Sequence, residues 1–169
     1  MEFLTVIDGI RTLINAITAS GGAADANKIV ATGTDGRLDQ SLMPIGVAAD
    51  TDTILASEAL SAGDFVNIWL DSGTRKVRKA DASNNRAANG FVLSAVSNGQ
   101  NATVFCQGRN TAVSGMPPGG VVWLSATTPG AASITPPATT PGYIVQQLGF
   151  APSATAILFE YDGYILIAS

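Results

Sequence analysis

Histidine is absent from the 169-residue chain, and cysteine occurs once, at Cys106. Without imidazole or a second thiol, the chain cannot assemble a Cys/His zinc site, a disulfide, or a Ser-His-Asp or Cys-His catalytic group. Charge is scarce as well. Charged residues make up 13% of the sequence, about half the usual share for a soluble chain. The net charge of −4 leaves no surplus of Lys and Arg to neutralise a phosphate backbone, which argues against nucleic acid as a partner. No run approaches the ~18 uninterrupted apolar residues of a membrane helix, so no membrane partner is expected. The opening Met1-Glu2-Phe3-Leu4 carries an acid where a secretory signal carries bases, giving the expectation of a protein made in the cytoplasm with Cys106 reduced.

Apolar residues reach an ordinary 46%, and 18 Gly and 8 Pro punctuate short apolar runs. That pattern predicts one mainly β domain with a short appended N-terminal part. The clearest helical period lies at the start. Phe3, Val6, Ile10, Leu13 and Ile17 follow one another at intervals of three and four, the seam spacing of a coiled coil, and predict an amphipathic oligomerisation helix over residues 1–20 that ends at Ser20-Gly21-Gly22. Gly9 would weaken such a helix by about 1 kcal/mol relative to Ala, so the helix needs a partner surface.

Residues 21–50 hold few large side chains and are expected to form an extended arm. Lys28–Thr32 is a brief strand candidate, Thr34-Asp35-Gly36-Arg37 is a turn, and Leu38–Met43 runs extended up to Pro44. From residue 51 to 169 short β-branched or aromatic runs recur: Thr53–Ser57, Asp64–Leu70, Lys76–Ala80, Gly90–Val96, Ala102–Gln107, Gly120–Ser125, Tyr143–Gly149, Ala156–Tyr161 and Tyr164–Ala168. Strands of this length and spacing, with Asp71-Ser72-Gly73-Thr74, Ser97-Asn98-Gly99-Gln100 and Asp162-Gly163 as hairpin turns, predict a small antiparallel β-barrel or sandwich. Thr127–Gly142, with its prolines, reads as a surface loop.

Few residues invite a chemical role. Arg75-Lys76-Val77-Arg78-Lys79 gathers four of the nine basic residues. It suits either a charged edge strand that resists unwanted pairing or a basic spot that docks on an acidic partner. Asp50/Asp52 and Glu160/Asp162 could each set two acids on one strand face for glycoside hydrolysis or Ca²⁺, but neither belongs to a longer ligand pattern, and solvated acids at strand ends explain them as well. Trp69 and Trp123 read as core or interface anchors before a sugar platform. No phosphate-binding glycine motif occurs. No catalytic, cofactor-binding or metal-ligating residue is nominated, and the chain is read as a non-enzyme.

Two stretches resemble proteins of tailed-phage virions. Ala23-Ala24-Asp25-Ala26-Asn27-Lys28-Ile29-Val30, then Thr34-Asp35-Gly36-Arg37-Leu38-Asp39 and Leu42-Met43-Pro44, resemble a connector that follows short N-terminal helices in phage fibre and head-decoration proteins. Ser57–Ile68, Lys76–Asp81, Gly90–Leu93 and Leu124–Gly130 are similar to the small β-barrel modules of capsid cement proteins. The resemblance implies a decoration protein on the capsid exterior, favoured as a trimer, whose partner is the major capsid protein; the alternative is a tail-fibre or receptor-binding component. In that reading the seam pairs copies of the chain. Ile29, Leu38, Leu42 and Met43 of the arm, with Arg75, Lys76, Arg78 and Lys79, meet the shell.

Overall fold

The computed structural model describes residues 2–7, 10–43 and 50–168. The chain divides into two compact units, Met1–Ala48 and Ala49–Ser169, and its secondary structure is mainly β.

The first unit corrects the N-terminal expectation. In place of a helix stand two antiparallel strands, β1 (Glu2–Ile7) and β2 (Ile10–Asn15), in a register that sets Phe3 opposite Ile14, Leu4 opposite Leu13 and Ile7 opposite Ile10. Thr5, Val6, Ile7, Ile10, Thr12 and Ile14 are all β-branched, a composition that loses rotamer freedom in a helix and suits a pleated strand. Spacings of three and four make a stripe on a helix but not on a strand of period two, so the coiled-coil seam is lost. Ile17 lies beyond β2, where its N–H donates to the Ile29 carbonyl (2.9 Å) and its own carbonyl accepts from Ala31 N–H (2.9 Å), forming a parallel bridge to Val30.

The arm is therefore not extended along its length. Ser20 N–H donates to Ser41 Oγ at 2.8 Å, folding residues 20–41 back on themselves, and short 3-10 turns occupy Ala23–Asp25 and Gln40–Leu42. Asp39 closes the second turn by accepting from Ser41 N–H and Oγ. The turn at Thr34–Arg37 forms as the sequence indicates, with Gly36 at φ 75 and Gly33 N–H bonded to the Arg37 carbonyl at 2.8 Å.

The second unit holds twelve of the strands among the described residues. β3 (Thr51–Ala56), β4 (Phe65–Asp71), β5 (Thr74–Lys79), β6 (Gly90–Phe91) and β7 (Asn101–Phe105) are paired in the order β3-β5-β4-β6-β7, and β7 returns to β3, so the hydrogen bonding runs in a ring. All of its pairings are antiparallel except β3 with β5. β8 (Gly108–Asn110), β9 (Val121–Leu124), β10 (Ala132–Ser133), β12 (Gln147–Ser153) and β13 (Ala156–Phe159) make a second sheet in the order β10-β9-β12-β13-β8. β11 (Ile144–Val145) and β14 (Ile165–Leu166) form a separate ribbon. The Asp162-Gly163 turn consequently does not close a hairpin, because β14 pairs with β11 and not with β13.

Side-chain alternation explains the two cores. Ile54, Val66, Val77 and Val104 of the ring, with Val92 just after β6, belong to one fully buried cluster. Their neighbours Phe65 and Phe91 belong to the other, with Val122, Leu124, Leu148, Ile157 and Phe159 of the second sheet. Phe159 meets Phe65 at 5.6 Å and Phe91 at 6.0 Å, edge-on to the latter. Each such side chain contributes about 1.5–3 kcal/mol on full burial before entropy is subtracted. Gly90 is required by this packing: a Cβ there would sit 2.6 Å from the Phe105 carbonyl oxygen.

Candidate interaction surface

The basic strand β5 is not a sheet edge, since it pairs with β4 on one side and β3 on the other. Three of its cations have carboxylate partners nearby. Arg75 meets Asp52 at 2.7 Å, Lys76 meets Asp71 at 2.7 Å and Lys79 meets Asp64 at 3.2 Å. The run thus presents much less free charge than its sequence suggests.

Arg78 is different. Its guanidinium lies 4.3 Å from the ring centre of Trp69, and its Nε donates to Asn67 Oδ1 at 3.0 Å. Asn67 is itself held by the Ala87 carbonyl and by Asn89, while Trp69 Nε1 donates to Ser57 Oγ at 3.3 Å. Burial, then the nearby charge of Arg86, pulls Arg78 below its ordinary value against the opposing pull of Glu58; a guanidinium stays charged regardless. β4 and β5 therefore expose a half-buried Trp stacked with an oriented Arg, the residue types that dominate binding energy in protein interfaces.

The other nominated residues are spread along the chain. Ile29, Leu38 and Met43 are exposed, Leu38 by half of its surface, and Leu42 is half-buried. Phe3, Val6, Ile10 and Leu13 lie on β1 and β2. The acid pairs do not act as pairs: Asp52 is engaged by Arg75 while Asp50 is exposed, and Glu160 and Asp162 are both exposed near the end of β13. Cys106 follows β7, half-buried, and burial first and then Asp50 and Asp52 raise its thiol above the ordinary value, which keeps it a poor nucleophile. Trp123 is half-buried on β9. Among the described residues no helix is long and apolar enough to cross a membrane.

Sequence reasoning missed an apolar row on the second sheet. Val121, Phe150 and Leu158 stand opposite one another on β9, β12 and β13, and Arg109 of β8 continues the row; Val121 and Phe150 are exposed. β8 was not among the predicted strands, and a bulge at Gly149 shifts the alternation of β12, so the row had no period to betray it.

Compared with family models, with curated proteins and with solved structures, the chain matches none of them.

Proposed function

We propose that this chain is a structural virion protein that binds the outside of a phage capsid as a homo-oligomer, with the trimer favoured, and stabilises the shell against the major capsid protein's own tendency to open. The observation that carries the reading is the segment resembling the phage connector. It is folded by turns and one bridge, yet it leaves Ile29, Val30, Leu38 and Met43 exposed. Apolar side chains held out on a short scaffold of turns are suited to burial against a foreign surface. The ring of pairings in the second unit is consistent with a small β-barrel module of the cement type.

In this reading the arm supplies the apolar contact, and β5 supplies an anchor at Trp69 and Arg78. Arg75, Lys76 and Lys79 act at shorter range, because Asp52, Asp71 and Asp64 already offset them. The helical seam has no place in it. The protein works by covering surface, and no residue is assigned a catalytic role.

Copy number tests the proposal. Gel densitometry of purified virions against the major capsid protein should give hundreds of copies per particle. A handful to tens would favour a fibre component instead, and none would remove the chain from the virion.

A further inference from the structure

Among the strand edges of the second unit that keep unpaired backbone groups, two match each other. At the two ends of β7 the N–H of Cys106 donates to the Asp50 carbonyl (2.8 Å) and the Gln100 carbonyl accepts from the Ala56 N–H (2.9 Å), in a register that sets Val104 opposite Asp52 and Ala102 opposite Ile54. The even-numbered residues therefore bond to β3, and Asn101, Thr103 and Phe105 turn their N–H and carbonyl groups the other way. Phe105 meets Phe91 of β6. β6 then stops, and the chain swings off to bridge Val96 to Leu60. Between Leu93–Val96 and β7 an opening of about 400 Å³ remains, lined by Leu93, Val96, Asn101, Thr103 and Phe105 among others and by no charged side chain. Among the described residues no backbone group pairs with Asn101 or Thr103 on this side.

The second edge is β14. Ile167 N–H donates to the Tyr143 carbonyl (2.8 Å), and its carbonyl accepts from Gly142 (3.0 Å), so Ile165 and Ile167 face β11 while Tyr164 and Leu166 turn their backbone groups outward. Tyr164, Ile165 and Leu166 are all exposed, Ile165 by 68%. Tyr164–Ala168 contains no charge and no proline. A bare, apolar, uncharged strand edge of this kind invites pairing.

We infer that β14 of one copy adds as a strand to the β7 edge in the groove of a second copy. Both edges offer free backbone groups at alternate residues, so one added strand satisfies both sets. The occupant is a second copy because the uncharged groove matches an uncharged strand, and because each molecule carries one of each edge. The junction is head-to-tail, so it generates a ring when its rotation closes. This inference deepens the homo-oligomer part of the proposed function and is independent of shell binding.

Light scattering of the full chain after gel filtration tests it without any capsid. Leu166→Pro and Thr103→Pro each remove one outward N–H and leave the pairing with β11 or β3 intact; Thr103→Arg fills the groove should the proline variant fail to fold by circular dichroism. Wild type should be oligomeric at micromolar concentration, and each variant should fall to a smaller mass. An equimolar mixture of the Leu166→Pro and groove variants should recover a dimer, since one keeps the groove and the other keeps the strand. A monomeric wild type, variants that keep the wild-type mass, or a mixture that recovers nothing would each overturn the inference. Failure here with intact shell binding would leave the virion reading standing.

Discussion

Gln146 clasps the backbone of Ala88 across 58 residues of sequence: the Ala88 N–H donates to Gln146 Oε1 at 2.7 Å, and Gln146 Nε2 donates to the Ala88 carbonyl at 2.8 Å. Both residues are fully buried, so the side chain does what a neighbouring strand would do for the segment between the 3-10 turn Ala82–Asn84 and β6. Gln146→Leu keeps the volume and strands two buried backbone groups, each worth about 1–3 kcal/mol when unpaired. Chemical denaturation should show a loss of about 2–6 kcal/mol with an unchanged slope.

Gly149 makes the bulge in β12. Its φ is 129, and a Cβ would run into the Leu158 carbonyl oxygen across the ladder. Gly149→Ala should therefore destabilise the domain by more than the ~0.4–1 kcal/mol that a Gly→Ala change gains where the backbone permits it, read as a fall in Tm.

Asp81 links charge to stability. Burial works to raise its carboxyl, but hydrogen bonds from the Ser83 hydroxyl, from Asn84 and from the Ser83 N–H, aided by Arg86, outweigh burial and hold it below the ordinary carboxylate range. A depressed carboxyl stabilises the fold above the unfolded value of about 4 and loses that contribution as pH falls through the folded value. Asp81→Asn should be less stable than wild type at neutral pH. The gap should narrow below about pH 4, and thermal melts across that range check it.

Much of the second unit was legible because its strands obey local rules. The β4–β5 hairpin turns at Ser72 and Gly73, both at positive φ (51 and 83), as the Asp-Ser-Gly-Thr sequence indicates. β8 and β10 were missed because three and two residues carry no period, and Gly90–Val96 shortened to Gly90–Phe91 because the chain pairs with β7 no further than Phe91. At the N-terminus two signals competed. The spacing of Phe3, Val6, Ile10, Leu13 and Ile17 favoured a helix, while β-branching favoured strands, and composition prevailed over period. The stacking of Arg78 on Trp69 joins residues nine apart through the β4–β5 pairing, so neither residue type nor spacing alone could disclose it.

Trp69 and Arg78 separate an anchor from a charged spot. Under the proposed shell binding, Trp69→Ala should weaken it by about tenfold or more, as loss of an interface anchor does, and raising salt should restore nothing. Reversing Arg75 to Glu should act chiefly at low ionic strength, because an exposed charge is screened over about 10 Å at 0.1 M salt. Binding isotherms at two salt concentrations, with melting curves as a folding control, distinguish the two.

The most direct measurement is co-sedimentation of the purified chain with undecorated shells of the major capsid protein that the proposal assigns as its partner. The account predicts saturable binding at a fixed ratio of chain to capsid subunit, a rise in the temperature at which the shells open, and loss of both in a Leu38→Asp, Met43→Asp double variant that still folds. Shells that sediment without the chain, or a double variant that decorates them at normal occupancy, would contradict it.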